Sequence, residues 1–148
     1  MTSIIKMMEG IPFFDAFNEQ EKQRLAERGN FFEAFKDGDV IIQEGDMGDS
    51  DLFVILTGSA YVRKDDYPDN IIAYLEAGAI IGEAAFLVGG RRRMASVIAQ
   101  GDVNVFKIDR TTMEQFDCSF QLKVTKLLVV IIVERLEKMN EALAELMG

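Results

Sequence analysis

Residues 81–97 read IGEAAFLVGGRRRMASV, and this run is the most informative part of the chain. An apolar residue and a glycine precede a short helical stretch, a glycine pair, three arginines and the start of another strand. The N–H groups at a helix start and the helix dipole favour a bound anion. Gly82 lets a ligand approach the backbone closely, and an arginine adds a forked, permanently charged donor for phosphate oxygens. The run therefore predicts an anion-binding turn.

The acidic side chain beside this turn has two explanations. Glu83 opens the helical stretch, where an acid stabilises the helix by about 0.3–1 kcal/mol and need have no other role. Alternatively, its carboxylate accepts a hydrogen bond from a sugar hydroxyl, and an anion with a sugar hydroxyl describes a nucleotide. The three arginines at 91–93 can also be explained as a run of solvent-exposed charges. We expect one of them to bind the ligand.

The composition excludes several classes of protein. The 148 residues include 16 Lys and Arg, 25 Asp and Glu, no histidine and one cysteine, with a net charge of −9. The acidic balance disfavours DNA binding. Missing histidines exclude Ser-His-Asp and Cys-His triads, histidine-ligated haem and His-built metal sites, and the lone Cys118 excludes internal disulfides and Cys-rich zinc sites. We therefore expect a cytoplasmic protein that is not an enzyme and has no cofactor or metal.

No segment is long enough to cross a membrane, because the longest unbroken apolar run is Leu127–Val133 and a bilayer needs about 20 residues. Near the amino terminus, Met1–Glu9 and a segment from Asn18 to Gly29 suit helices, and Asn18 with Glu21 forms a predicted capping box. Short apolar runs separated by Gly and Asp then predict an antiparallel sandwich or roll. The candidate strands are Phe31–Phe35, Val40–Glu44, Leu52–Leu56, Ala60–Lys64, Ile71–Leu75, Ala95–Gln100 and Asn104–Ile108.

The last third of the chain is predicted to be helical. Asp109 or Thr111 can cap a short helix that runs to Phe116. A longer helix starts at about Ser119, although its β-branched run 129–133 would also suit a strand. The helix has apolar residues on more than one side, so other parts of the protein must cover it on more than one side. We therefore expect a homodimer through this helix, with a fully intramolecular helix as the alternative. The residues in heptad a/d register are Leu122, Val129, Ile132, Leu136, Met139, Leu143 and Leu146.

Four ordered motifs make the chain resemble the cyclic nucleotide-binding domains of bacterial catabolite-activator-type regulators, protein kinase A regulatory subunits and gated channels. The motifs are IPFF at 11–14, GDVI at 38–41 with EGDMGD at 44–49, FVILTG at 53–58, and a phosphate-binding cassette at 82–97. The resemblance covers residues from about 11 to 141. It implies a mainly β fold with flanking helices, an eight-stranded β-roll of the double-stranded β-helix or jelly-roll type, followed by a hinge and a long C-terminal lid helix.

The resemblance also implies roles for individual residues. The family's ribose-binding glutamate corresponds to Glu83, its phosphate-binding arginine to Arg93, and its polar contact to the purine to Asn140. The residues expected at the ligand are Gly82, Glu83, Ala84, Ala85, Arg92, Arg93, Met94, Ala95 and Asn140.

Three departures from the family pattern bear on the ligand. One extra residue follows the glycine pair, so Arg92 competes with Arg93, which we prefer because it keeps register with the strand that follows. Met94 replaces the usual Ser, Thr or Ala; a thioether donates no hydrogen bond, so the hydroxyl that many cGMP-selective members use is absent. This favours cAMP over cGMP. The segment 45–58 also has one residue more than usual, assigned to Asp51, as a bulge or longer turn that should disturb the roll little.

Residues 1–148 are accordingly expected to form one domain, with N-terminal helices at 1–30, the β-roll at 31–109, and the hinge and C-terminal helix at 110–148. The expected function is a cyclic nucleotide sensor of bacterial type, in which ligand binding repositions the C-terminal helix and signals to a protein partner without DNA or membrane contact. The alternative is a roll that no longer binds nucleotide and acts as a dimeric scaffold for protein interactions.

Overall fold

The computed structural model describes residues 2–27 and 31–148, and it divides the chain into two compact units, residues 1–113 and 114–148. In the first unit, three helices precede the sheet: α1 (Thr2–Met8), α2 (Pro12–Asp15) and α3 (Glu19–Glu27). The predicted capping box is confirmed. The amide of Asn18 donates to Glu21 Oε1 and the amide of Glu21 donates to Asn18 Oδ1, both at 2.9 Å. The predicted helix stop at Gly29 lies outside the described residues.

The described part of the chain forms one antiparallel sheet of six strands. Its order is β1-β6-β3-β4, with β2 also paired to β6 and β5 to β3. The strands are β1 (Phe32–Phe35), β2 (Val40–Ile42), β3 (Leu52–Arg63), β4 (Ile71–Leu75), β5 (Ile80–Ile81) and β6 (Ser96–Ile108).

The described residues form six strands instead of the eight expected, and two long central strands replace four of the predicted ones. The expected pair Leu52–Leu56 and Ala60–Lys64 is one continuous strand, β3, and the pair Ala95–Gln100 and Asn104–Ile108 is one strand, β6. The reason lies at Gly58, whose φ of +91° and missing side chain permit a bend where the register shifts. A Cβ there would lie 2.3 Å from the carbonyl oxygen of Asp102. The expected turn is therefore a bend within a paired ladder.

The bend lets both halves of the long strands contribute to one core. Phe53 and Ile55 from the first half of β3 belong to the same buried cluster as Ala60 from its second half. Val97 and Val105 from opposite halves of β6 belong to it as well. Because side chains alternate between the faces of a strand, Ile55 and Ala60 would lie on opposite faces of a regular strand. The register shifts between them put both side chains in one core.

A cluster of phenylalanines packs the N-terminal helices against the sheet. Phe106 of β6 is 99% buried, and its ring centroid lies 5.2 Å from that of Phe14 and 5.6 Å from that of Phe31. Phe13 and Phe32 lie 6.0 and 5.7 Å away. Three of these contacts are edge-to-face and that of Phe13 is tilted, and aromatic pairs at such separations stabilise the packing beyond area burial alone. They hold the IPFF motif against the strand that follows the arginine run.

Two further helices follow α4 (Glu83–Val88), which belongs to the candidate site: α5 (Arg110–Glu114) and α6 (Cys118–Met147). Asp109 caps α5, as predicted, by accepting from the Thr112 amide at 2.6 Å. Asp117 caps α6 by accepting from the Phe120 amide at 2.9 Å. The β-branched run 129–133 lies inside α6, so the helical prediction is confirmed.

The apolar residues of α6 differ in exposure along the helix. In the unit 114–148, Phe120, Val124 and Leu128 are buried. The side chains of the predicted a/d positions beyond residue 128 are exposed, with Leu136 at 56% and Leu143 at 54%. This face of the helix therefore presents apolar surface to solvent in the single chain.

Candidate functional site

A left-handed glycine starts the short helix of the predicted anion-binding turn. Gly82 has a φ of +84° and directly precedes α4. Its carbonyl accepts from the Phe86 amide at 3.2 Å and from Arg93 Nη1 at 3.3 Å. The amides of Ala84 and Ala85 lie before this first helical hydrogen bond, as orphan donors at a helix start do. One carbonyl thus joins the start of α4 to the arginine run.

Arg93 is the arginine that lies inside the protein. Its relative exposure is 4%, whereas Arg91 and Arg92 are exposed. Its Nη2 donates to the Asp51 carbonyl at 2.8 Å and forms an ion pair with Asp49 Oδ2 at 3.1 Å. A buried guanidinium needs such partners, because an uncompensated buried charge is strongly destabilising.

The backbone of Arg93 is also tied to the segment that supplies these partners. Its amide donates to the Asp46 carbonyl at 3.0 Å, and its carbonyl accepts from the Gly45 amide at 2.9 Å. Its buried Nε has no hydrogen-bond partner in the described chain. The guanidinium therefore retains its Nε–H donor, which a ligand oxygen would satisfy.

The remaining predicted site residues occupy different environments. Glu83, the first residue of α4, is half-buried, Ala84 is exposed and Ala85 is buried. Met94 is 68% exposed, so its bulk does not fill the core. Ala95 is half-buried, and Asn140 is an exposed residue of α6 in the unit 114–148.

The extra residue assigned to Asp51 has a larger role than expected. The turn around residues 45–51 supplies the carboxylate and carbonyl that bind Arg93, which the sequence analysis did not predict. The Asp51 amide also donates to Asp49 Oδ1 at 2.8 Å, so Asp49 is held in place to receive the guanidinium. The available signal was the concentration of acids in a glycine-rich turn next to an arginine run. It could not show which arginine the acids would meet.

Burial changes the acidity of one of these carboxyls. Burial, followed by the nearby charge of Asp49, raises the pKa of Asp51 from 3.8 to about 6, while Lys107 acts in the opposite direction. Lys107 itself forms an ion pair with Glu33 at 3.1 Å. The carboxyl of Asp51 therefore titrates closer to neutral pH than an ordinary aspartate does.

A group of polar side chains (Glu44, Lys64, Asp65 and Ser96), here called the polar clamp, fixes the residues after Arg93. Ser96 is buried; its hydroxyl donates to Asp65 Oδ1 and accepts from the Glu44 amide, both at 2.9 Å. Lys64 Nζ donates to the Met94 carbonyl and lies 3.6 Å from Glu44 Oε1. The clamp positions the segment 94–96 against the loop that follows β2.

Arg110 supports the other end of α4 and was also missed from the sequence. Its Nη1 donates to the carbonyls of Phe86 and Leu87 at 2.6 and 3.0 Å. These are among the last carbonyls of the helix, where a cation is favourable. Nothing local to Arg110 predicted this contact, because 23 or more residues separate it from α4.

Within the described ranges, no group of three or more potential metal-ligating residues forms a metal site. None of the described helices combines the length and hydropathy needed to cross a bilayer.

Comparison with known families identifies this arrangement. A family profile described as "Cyclic nucleotide-binding domain" matches residues 32–117, more than half of the chain. The chain belongs to the cyclic nucleotide-binding domain family. The β-roll class with N-terminal helices and a long C-terminal helix, predicted from the resemblance, is confirmed.

Individual relatives are distant in sequence and similar in fold. A cyclic nucleotide-binding domain from Methylobacillus flagellatus superposes with a TM-score of 0.74 at 26% identity, over 95% of this chain and 80% of that one. The regulatory subunit of a cAMP-independent protein kinase A from Trypanosoma brucei gives 0.69 at 27% identity, over 88% and 44%. The cyclic nucleotide-gated channel beta-3 of the dog is 32% identical over 80 residues, which cover 53% of this chain and 10% of the channel. This chain thus spans only a small part of its channel relatives.

Gly82→Ala is expected to destabilise this cyclic nucleotide-binding domain more than Gly90→Ala. Both glycines have positive φ, but a Cβ at Gly82 would lie 2.7 Å from Arg93 Nη1 and from the Asp51 carbonyl oxygen, whereas a Cβ at Gly90 meets nothing within 4 Å. We expect the free energy of unfolding in urea to fall by about 1–3 kcal/mol more for Gly82→Ala. Equal losses would show that backbone conformation alone requires Gly82.

Asp51→Asn is expected to remove a pH dependence of stability. Between pH 3.8 and about 6 the folded state keeps a proton on Asp51 that the unfolded state has lost. Stability from this proton is therefore full below pH 3.8 and is lost as the pH rises through 6. We expect the Tm of Asp51→Asn, relative to the unsubstituted chain, to rise between pH 4 and pH 7.

Thermal unfolding followed by circular dichroism at several pH values measures this difference. Asp66→Asn, at an exposed aspartate, is the control. A Tm difference that is constant with pH for Asp51→Asn would contradict the assignment.

Proposed function

We propose that this chain is a cyclic nucleotide sensor that is not itself an enzyme. The 3′,5′-cyclic phosphate would bind the amides of Ala84 and Ala85 together with Arg93, and Glu83 would accept from the ribose 2′-hydroxyl. The observation that carries the proposal is the inward orientation of Arg93, which contacts the carbonyl of Gly82, the residue before α4. A permanent cation and a helix start then converge on one anion.

Arg93 supports this role through its partners as well as its position. The ion pair with Asp49 and the bonds to two carbonyls fix the guanidinium, so little side-chain entropy is lost on binding. The buried Nε lacks a partner in the described chain, and a phosphate oxygen would supply one. Asp49 balances part of the charge without occupying every donor.

We favour cAMP over cGMP as the ligand. Met94 stands where many cGMP-selective members place a hydroxyl, and a thioether donates no hydrogen bond to the purine. Structural relatives differ in their relation to cAMP. One solved neighbour is described as cAMP-bound and another as a cAMP-independent kinase subunit. The ligand must therefore be tested on this chain.

Ligand binding would act through the C-terminal helix. We propose that the hinge at residues 109–119 and α6 shift between two positions, and that Asn140 contacts the purine in one of them. The nucleotide can drive this shift only through different affinities for the two positions. The signal would then pass to a protein partner, and the cytoplasmic location expected from the sequence stays a prediction.

Arg93→Ala is expected to abolish or greatly weaken nucleotide binding, while Arg92→Ala leaves it nearly unchanged. Arg93 is buried and paired, whereas Arg92 lies in solvent. Loss of a desolvated charge-assisted contact costs on the order of 2–5 kcal/mol of binding energy. Isothermal titration with cAMP and with cGMP measures the effect, and Arg93→Lys, which keeps the charge, should lose less.

The outcomes of this titration separate the proposals. A larger loss for Arg92→Ala would assign the phosphate to Arg92. No heat from the unsubstituted chain with either nucleotide would contradict the sensor and support the dimeric scaffold. Circular dichroism of each variant shows whether the buried substitution preserves the fold.

Leu143→Glu is expected to convert a homodimer into monomers. The a/d residues of α6 beyond residue 128 are exposed in the single chain, and a second copy would bury them along three heptads. A carboxylate at Leu143 would be buried without a partner. Sedimentation velocity measures the mass, and Glu141→Gln, on the charged face of the helix, is the control. An unchanged sedimentation coefficient for Leu143→Glu would rule out this interface.

A further inference from the structure

The strand β4 lies at an edge of the sheet. In the described part of the chain it pairs with β3 alone, through Ala60–Leu75, Tyr61–Tyr74 and Val62–Ala73. The other edge of β4 has no strand partner among the described residues. Such an edge presents a row of backbone donors and acceptors that can pair with another chain.

The side chains of β4 make this edge unusually suited to pairing. Leu75 packs against the core, whereas Ile72 and Tyr74 lie on the opposite face and are 59% and 66% exposed. These residue types favour strands and pack well against neighbours across a sheet. Proteins protect an edge with lysine or proline, or with a short or bulged strand. The strand β4 is five residues long and its register shifts between Ala73 and Ile71, but Ile71–Leu75 contains neither lysine nor proline.

Both ends of the strand are acidic. Asp66 and Asp69 precede β4 and Glu76 follows it, and all three are exposed. Lys64, the preceding basic residue, already contacts Glu44 and the Met94 carbonyl. Asp69, in the turn before the strand, and Glu76 are seven positions apart in sequence, on either side of the five residues of β4. The edge is therefore apolar at its centre and negative at both ends.

This charge pattern argues against a second copy of the chain as the occupant. Antiparallel pairing of two β4 strands about their centre would bring Asp69 of one copy close to Glu76 of the other. Parallel pairing would bring each acid close to its own counterpart. Like charges opposite one another destabilise a strand pair. A partner with basic ends avoids this repulsion and gains attraction instead.

We propose that β4 is a docking edge for an extended segment of another protein, with apolar residues at alternate central positions and basic residues about seven positions apart at its ends. The segment would add a strand to the sheet through backbone hydrogen bonds, which supply affinity. Its apolar side chains would pack beside Ile72 and Tyr74. Its basic ends would lie near Asp69 and Glu76. This site uses none of the residues assigned to the nucleotide, so it stands or fails separately from the proposed function.

The test uses the full chain and labelled peptides in fluorescence anisotropy. The probe peptide is Lys-Lys-Thr-Val-Thr-Val-Thr-Lys-Lys, and two controls carry glutamate at both ends or proline at the central threonine. We expect saturable binding of the probe and about tenfold weaker binding of the glutamate peptide at low salt. We expect no binding of the proline peptide, because proline removes a backbone donor and breaks an added strand.

Variants at exposed positions locate the binding to β4. Tyr74→Lys should remove probe binding, whereas Met47→Lys, at an exposed apolar residue of another segment, should not. The double variant Asp69→Lys with Glu76→Lys should reverse the preference and bind the glutamate peptide more tightly. A structural defect would not produce such a reversal.

Three results would overturn the proposal. The first is equal binding of the proline peptide, and the second is an unchanged charge preference in the double variant. The third is a sedimentation coefficient that falls in Tyr74→Lys, which would show that β4 pairs with a second copy. Failure of nucleotide binding in the titrations above would leave this test unaffected.

Discussion

The buried guanidinium of Arg93 joins three segments that are distant along the chain. Its Nη1 contacts the carbonyl that starts α4, its Nη2 contacts the carbonyl of Asp51 and the carboxylate of Asp49, and its own backbone begins the approach to β6. A charge with 4% exposure is tolerated only with such partners. The same partners fix the position of the guanidinium, which the proposed phosphate contact requires. The contacts of Arg93 therefore connect the turn at 45–51, α4 and the arginine run into one site.

Glycine determines how closely these parts approach. The Gly82 backbone lies so near Arg93 and Asp51 that a Cβ would be 2.7 Å from both. At Gly58 the backbone of the neighbouring strand leaves still less room, and the long strands bend there. The first glycine makes the contact between α4 and the arginine possible. Gly58 lets β3 and β6 bend around one core, and this core includes Ile81 and Val97, which flank the candidate site in sequence.

Two surfaces outside the candidate site expose apolar side chains: one face of α6 and the edge strand β4. The exposed face of α6 has a heptad pattern with few charges on its apolar side, which suits a second identical helix. The edge at β4 is short, with acids at both ends, which repels an identical strand and suits a basic partner. The two surfaces thus differ in the kind of occupant that their charges allow.

The sequence by itself determined the class of fold and the family, through the order of four motifs between residues 11 and 97, together with two helix caps and the cassette. It indicates the caps and the cassette through local patterns: Asn18 with Glu21, Asp109 before α5, the glycine and arginine spacing at 82–97. It also favoured Arg93 over Arg92 through strand alternation, and the structure places Arg93 inside. Each of these inferences needs only neighbouring residues, because capping, alternation and positive φ are short-range effects.

Only the tertiary structure decided which distant groups meet. Asp49 and Asp51 bind Arg93 across more than 40 residues of sequence, and Arg110 reaches α4 across 23 or more. The merging of four predicted strands into β3 and β6 also depends on a neighbouring backbone, since the same Gly58 in isolation signals a turn. Sequence patterns report local preference and cannot report what a fold brings alongside. For that physical reason only the tertiary structure identifies Asp49 and Asp51 as partners of the buried Arg93.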